Sequence, residues 1–235
     1  MTLNVMMPCY KEADNLRNII PQIVETLKEI EVDSQLIIVD TMEPLDGTED
    51  ICNLYKDSCV KYIPRRGGNF YGDAIRTGIE ESDGDYLIIL DADGSHNPKD
   101  ILRLYDEIKK NDFDVVIGSR YMKGGYTDNN FILRLMSYVL NVTYRLLFKL
   151  NVKDVSDSYR IYNLSKLKNI KLKCDNFDIV EEILIRLKRT YSDIKISEIP
   201  ISFNKRVYGE SKRDLFKFIF SYFKTIYRLK KMEKD

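Results

Sequence analysis

Two aspartates one residue apart, Asp91 and Asp93, follow the apolar run Tyr86-Leu87-Ile88-Ile89-Leu90 and precede Gly94. A short, partly β-branched run bounded by glycines reads as a strand buried on both faces. Ligands of open α/β sheets sit at the carboxyl ends of the strands, so both carboxylates are expected to enter a cleft. Neighbouring carboxylates raise each other's pKa unless a cation lies between them. A hard divalent ion, Mg²⁺ or Mn²⁺, suits oxygen ligands of this kind. Taken alone, the same residues also read as a strand end followed by a helix-capping turn.

The second group that could do chemistry is cationic. Arg120, Arg160, Arg206 and Lys212 follow expected strand ends or lie in loops, where guanidinium and ammonium groups can meet phosphate oxygens. Ordinary surface cations are the plain alternative. The single histidine, His96, excludes a multi-histidine metal site and a histidine-activated nucleophile elsewhere in the chain. It reads as a neighbour of the metal ligands or as a satisfied structural residue. Cys9, Cys52, Cys59 and Cys174 match neither a zinc site nor a CxxC pair and read as reduced packing residues.

The elements that must position these groups alternate. Strands are expected at 2–7, 36–40, 60–63, 86–90 and 113–117. Helices carrying Leu16 to Leu27, Ala74 to Ile79 and Ile101 to Ile108 lie between them, with a further helix opened by Asp46-Gly47-Thr48. Such alternation implies an open, mainly parallel, twisted α/β sheet flanked by helices. After Gly118 the pattern changes to a long apolar and basic helix near 131–149, an irregular stretch at 154–160, a helix over about 177–189 and a strand from about 194 to 201. A last helix is expected from 213 to 235.

At 235 residues the chain suits one large domain. Lys plus Arg and Asp plus Glu are 37 each, yet residues 1–100 carry 9 basic and 20 acidic side chains and residues 101–235 carry 28 and 17. An acidic first half is unsuited to nucleic acid; a basic second half suits phosphate ligands or an anionic membrane. No signal peptide is read at Met1-Thr2-Leu3-Asn4. No apolar run is expected to span a bilayer, because the longest, near 131–150 and 215–229, are interrupted by Arg134, Arg145, Lys217 and Lys224.

Several stretches, in order, resemble glycosyltransferase family 2 with the GT-A (Rossmann-like) fold, in particular the dolichol- and polyprenyl-phosphate mannose and glucose synthases. They are Met7-Pro8-Cys9-Tyr10-Lys11-Glu12; Val39-Asp40 through Asp46-Gly47-Thr48; Asp91-Ala92-Asp93-Gly94-Ser95-His96-Asn97-Pro98; Gly118-Ser119-Arg120-Tyr121; Asp154 through Arg160; and Arg206-Val207-Tyr208-Gly209-Glu210-Ser211-Lys212. Each piece alone is weak, whereas the ordered set over most of residues 3–213 is specific. The resemblance departs at Thr41, where the family writes a second aspartate, in the loop Thr41 to Leu45, which is one residue longer, and at Ser156 to Arg160, where the family prefers a Thr-Ser-Gly-Phe-Arg-like run.

The resemblance implies a GT-A domain over 1–212, with a nucleotide-sugar half (1–118) and an acceptor half (119–212). It implies a GDP- or UDP-linked sugar bound by Pro8, Tyr10, Glu12 and Asp40, with Asp73 and Ala92 counted in the same pocket. Asp91 and Asp93 would hold Mg²⁺ or Mn²⁺ on the diphosphate, where a Lewis acid stabilises the leaving group. Arg120, Arg160, Arg206 and Lys212 would hold the phosphate of a polyprenyl or dolichyl acceptor, with Arg120 drawing it in for an inverting displacement. An acceptor that is already anionic needs no general base. A hydroxyl acceptor would need one, for which Asp154 and Asp157 are the candidates. A non-catalytic nucleotide-binding subunit is the remaining alternative. In the last helix Arg213, Lys217, Lys224, Arg228 and Lys231 share one face beside a broad aromatic one, which suits a membrane surface. Packing on the chain's own body or on a membrane-protein partner is the other reading. The expected location is the cytoplasmic face of the membrane, peripherally bound.

Overall fold

A computed structural model describes residues 1–56, 58–206 and 224–231. Strand β1 (Thr2–Pro8) leads to α1 (Ala13–Lys28), β2 (Asp33–Asp40), α2 (Thr48–Asn53), β3 (Val60–Pro64), α3 (Tyr71–Glu81), β4 (Tyr86–Ile89), α4 (Asp100–Lys110) and β5 (Val115–Ser119). The second half adds β6 (Tyr126–Thr127), α5 (Phe131–Phe148), β7 (Arg160–Asn163), α6 (Leu164–Lys168), α7 (Ile179–Thr190), β8 (Ile196–Pro200) and β9 (Ser202–Phe203).

Seven strands form one sheet in the order β3-β2-β1-β4-β7-β5-β8. Successive side chains of a strand point to opposite faces, and the core divides accordingly. Met6, Ile37, Val39, Leu87 and Ile89 pack on one face with α3, α6 and α7. Leu3, Val5, Met7, Leu36, Ile38 and Ile88 pack on the other with α1, α2 and α4. Both faces of the central strands are covered, which is why those strands read as unbroken apolar runs. β1, β2, β3 and β4 are mutually parallel, as are β5 and β8.

The second half differs from expectation in four places. β7 lies antiparallel between β4 and β5; its four residues, RIYN, are too few to show a period. The short pair β6 and β9 likewise carried no pattern, nor did α6. Helix α5 is, by length and composition, apolar enough to cross a membrane despite Arg134 and Arg145, and only 17% of it is buried. Only Leu140, Asn141 and Tyr144 among its residues are fully buried. Of the expected last helix, residues 224–231 are helical; residues 213–223 and 232–235 lie outside the described residues. Within 224–231, Leu229 and Thr225 are buried and Arg228 pairs with Asp178, so this part packs on the chain's own body.

Candidate active site

In the order β2-β1-β4 the strand direction brings three parallel carboxyl ends to one edge of the sheet. The crossovers run outward in opposite directions from β1 and β4, which makes their junction the switch point where such sheets bind ligands. Pro8 to Glu12, Asp40 and Asp91 to Asp93 all issue there.

Asp93 is engaged through both carboxylate oxygens. Its Oδ1 accepts from the Ser95 N–H at 3.0 Å; its Oδ2 meets Nε and Nη2 of Arg206, each at 3.1 Å. Burial pushes the Asp93 carboxyl up, but the Ser95 hydrogen bonds and the charges of Arg206 and His96 outweigh it and hold the group below its ordinary range. Arg206 also reaches Glu12 at 3.9 Å. Burial raises the Glu12 carboxyl, and the charges of Asp93 and Asp91 add to this, while Asn15 and Arg206 oppose it. Asp91, half-buried, accepts at Oδ1 from the Tyr71 hydroxyl at 3.5 Å, and its N–H donates to His96 Nδ1 at 3.2 Å.

The donor set fits a divalent cation. Two carboxylates on one tight turn can supply the protein's share of ligands to an ion whose remaining positions are filled by substrate phosphates. A guanidinium already balances negative charge at Asp93 and Glu12. Among the described residues no group of three or more His, Cys, Asp or Glu is placed to hold a metal ion.

His96 is buried and links this turn to a second cluster. Its Nε2 lies 3.3 Å from Asp157 Oδ1, and its ring packs on Tyr159 and Phe203. Burial lowers its pKa, but Asp157, helped by the charges of Asp91 and Asp93, more than reverses that, and the net direction is up. Asp157 in turn faces Arg120 Nε at 3.1 Å, and Asp154 grips Arg120 through two bonds of 2.8 Å. Burial depresses Arg120, yet the two carboxylates outweigh it and raise its pKa well above the ordinary range. For Asp157, Arg120 and His96 overcome burial and hold the carboxyl below 3.8.

Several expected roles change on this geometry. Arg160 is fully buried on β7; Nη1 donates to Val180 O at 2.8 Å and Nη2 to Val155 O at 2.6 Å, so it braces α7 against the preceding loop and does not face a phosphate. Arg120 keeps 9% of its side chain exposed and is matched by two carboxylates; its geometry is that of an internal strut. Asp73 is buried at the start of α3, where it accepts from the Phe70 N–H at 3.0 Å and from Arg76 at 2.7 Å. That makes it a helix cap. Thr41, in place of an acid, is buried and ties its own loop by donating to Glu43 O at 2.6 Å. Arg206, with 37% of its side chain exposed, is the expected phosphate ligand that does reach the carboxylates. Lys212 and the stretch Val207 to Ser211 lie outside the described residues.

Some structuring residues escaped sequence reasoning. Buried Arg65 donates to Cys9 O, to Asp40 O at 2.8 Å and to the carbonyls of Asn69 and Phe70 at 3.1 Å, knitting the ends of β1 and β2 to the loop before α3. Asp40 is buried beneath it, with Tyr62 donating to its carboxylate at 3.3 Å. Asp46 accepts from the first N–H of both α1 and α2, Ala13 and Thr48, at 3.0 Å each. The Arg65-Arg66 pair was visible in the sequence, but nothing local marks which of two adjacent arginines is buried.

A mixed, mainly parallel sheet with acidic strand ends at the switch point matches the GT-A arrangement. A family described as Glycosyl transferase family 2 matches residues 4–171, and the chain belongs to that family. It is 34% identical over its whole length to a dolichol-phosphate mannosyltransferase of Pyrococcus furiosus, spanning 65% of that protein. It is 31% identical over 90% of its length to an undecaprenyl-phosphate mannosyltransferase of Micrococcus luteus, covering 87% of it. Its fold matches glucosyl-3-phosphoglycerate synthase from Mycobacterium tuberculosis in complex with UDP, with a TM-score of 0.71 at 16% identity over the whole chain and 82% of that protein. The same enzyme with Mn²⁺, UDP and phosphoglyceric acid gives a TM-score of 0.70 at 16% identity, over the whole chain and 80% of that protein.

Proposed function

We propose that this chain transfers a hexose from a nucleoside diphosphate sugar to a polyprenyl phosphate, with inversion, at the cytoplasmic face of a membrane. The observation that carries the choice of acceptor is the state of Asp154 and Asp157. A hydroxyl acceptor needs a carboxylate free to take its proton. Both candidates are fully buried and bound to Arg120, and the charges of Arg120 and His96 hold the Asp157 carboxyl below its ordinary range, so neither stands free to take a proton. A phosphate monoester brings an anionic oxygen and needs a cation instead, which Arg206 supplies beside Asp93.

Asp91 and Asp93 would hold a divalent ion, which when bound stabilises charge on the departing diphosphate. The protein's own groups do the remaining work. Arg206 draws the acceptor phosphate to the carboxylate edge and orients it through its planar fork of donors. A phosphate oxygen attacks the anomeric carbon while the bond from that carbon to the donor's phosphate oxygen breaks. The bonding pair leaves with the nucleoside diphosphate, and no proton moves. The buried His96–Asp157–Arg120–Asp154 network keeps the turn at Asp91 in place.

Membrane attachment is supported by α5. Phe131, Ile132, Leu135, Tyr138, Val139 and Leu146 are exposed, while Ser137 and Asn141 bind Ser156 beside the Arg120 cluster. An apolar helix docked next to the acceptor half suits a substrate whose head is charged and whose tail is lipid. The test is incubation with radiolabelled UDP- and GDP-sugars, Mg²⁺ or Mn²⁺, and either polyprenyl phosphate or free polyprenol. Label should enter only the phosphate lipid. Label entering the alcohol instead would overturn the acceptor assignment.

A further inference from the structure

Tyr71 opens α3, and Phe177 lies far along the chain, on the loop before α7. Their rings are stacked, with centroids 4.4 Å apart and 29° between planes. The Tyr71 hydroxyl donates to Asp91 Oδ1, so the pair abuts a carboxylate placed in the donor site. Phe177 nevertheless leaves 48% of its surface exposed.

The loop that presents this ring is held on every side. The Gly72 N–H donates to Asp175 O at 2.7 Å. A Cβ on Gly72 would overlap the Cys174 carbonyl oxygen and stand 2.8 Å from Asp175 Cα, so only glycine lets α3 approach so closely. Arg76 donates to Cys174 O at 2.7 Å and pairs with Asp175 at 3.2 Å. Behind the loop, fully buried Glu182 accepts from the N–H groups of Lys173, at 3.0 Å, and Cys174, at 2.7 Å. Thr225 donates to Asp178 at 2.7 Å, and Arg228 pairs with the same carboxylate. A segment anchored this thoroughly has little to gain from holding a phenyl ring half in water. Such rigidity fits a surface preorganised for a ligand.

We propose that the Tyr71–Phe177 stack is the platform on which the donor's hexose lies, an inference that rests on the nucleotide-sugar reading above. A pyranose carries C–H groups on its ring faces, which pack on aromatic faces, while its hydroxyls remain at the rim for hydrogen bonds. The stack's position beside Asp91 puts the sugar next to the diphosphate end of the donor. The Tyr71 hydroxyl fixes the orientation of the Asp91 carboxylate at the same time.

The test is calorimetric titration, in Mn²⁺, of wild type, Phe177→Ala, Phe177→Leu and Tyr71→Phe with UDP, GDP, UDP-glucose and GDP-mannose. Thermal unfolding checks that each variant folds. The quantity read is the ratio of the affinity for the sugar nucleotide to that for its parent nucleotide. Phe177→Ala should lower this ratio about tenfold, the scale of one aromatic contact, with nucleotide affinity changed less than about twofold. Phe177→Leu should resemble it, because bulk without an aromatic face is insufficient. Tyr71→Phe, which keeps the stack but removes the hydroxyl that binds Asp91, should weaken parent and sugar nucleotides alike, whereas a ratio lowered as in Phe177→Ala would count against the stack as the platform. An unchanged ratio in both Phe177 variants, with nucleotide still binding, overturns the platform and leaves the donor reading standing. Wild type that binds none of the four compounds overturns the donor reading and the platform with it.

Discussion

Replacing Arg206 with alanine separates its structural contribution from its functional one. The guanidinium meets a single oxygen of Asp93 through Nε and Nη2, each at 3.1 Å, with 37% of the side chain exposed. In water-like screening such a pair gains about 1.3 kcal/mol. Ordering a long side chain costs up to about 2 kcal/mol, so the net contribution to stability is about 0–1 kcal/mol. For a chain of this size that corresponds to a fall in Tm of less than about 4 °C. The acceptor should register a larger effect. A charge-assisted hydrogen bond to a phosphate contributes about 1.5–3 kcal/mol, which is about 10- to 150-fold in kcat/KM for polyprenyl phosphate. Initial rates with acceptor varied at saturating donor, and then the reverse, measure the two sides. Arg206→Ala should lose acceptor kcat/KM by that factor with donor KM changed less than about threefold, and Arg206→Lys should recover part of it by keeping the charge without the fork. An equal loss toward donor and acceptor, or a fall in Tm large enough to account for the lost activity, would refute the assignment.

Asp91→Asn and Asp93→Asn should each abolish turnover while leaving the fold intact by circular dichroism; retained activity in either would remove that residue from the donor site. The folded-state pKa of Asp157 is depressed, so its ionised form stabilises the protein above the unfolded value near 3.8, and that stability is lost as pH falls through the lower folded value. Asp157→Asn should therefore be less stable than wild type at neutral pH and show a shallower loss of stability below about pH 4, as read by denaturant titrations across the acid range. On α5, the double substitution Ile132→Asp with Leu135→Asp removes two exposed apolar side chains, each contributing about 1.5–3 kcal/mol when fully buried. Vesicle flotation with anionic lipid should drop at least about tenfold, while activity on a short-chain, water-soluble polyprenyl phosphate is retained; undiminished flotation would place the membrane contact elsewhere.

The first half of the chain was legible because its signals are local. An apolar run that ends in an acid, as in β2 and β4, states both the strand and the edge at which its carboxylate emerges. The helical spacing of Leu16, Ile19, Ile20, Ile23 and Leu27 states which face of α1 is covered, and all five are buried. The ordered short motifs carried the family resemblance, which the family match over residues 4–171 bears out. β7 was illegible because four residues sandwiched between two strands carry no period, and its antiparallel direction is set by where the chain returns.

The sequence by itself determined the alternating strands and helices, the acidic strand ends and the family. Tertiary structure alone decided what each charge does. Arg65, Arg120 and Arg160 are internal braces, whereas Arg206 is more exposed and lies beside Asp93. The reason is physical: a buried guanidinium is tolerable only where acceptors gather around it. Those acceptors come from distant segments: Cys9 for Arg65, Asp154 and Asp157 for Arg120, and Val180 for Arg160. Arg65 also meets Asn69 and Phe70, and Arg160 meets Val155, within a few residues, but the long-range acceptors share no local window with their arginines, so the fold has to bring them together before burial separates the braces from the exposed cation.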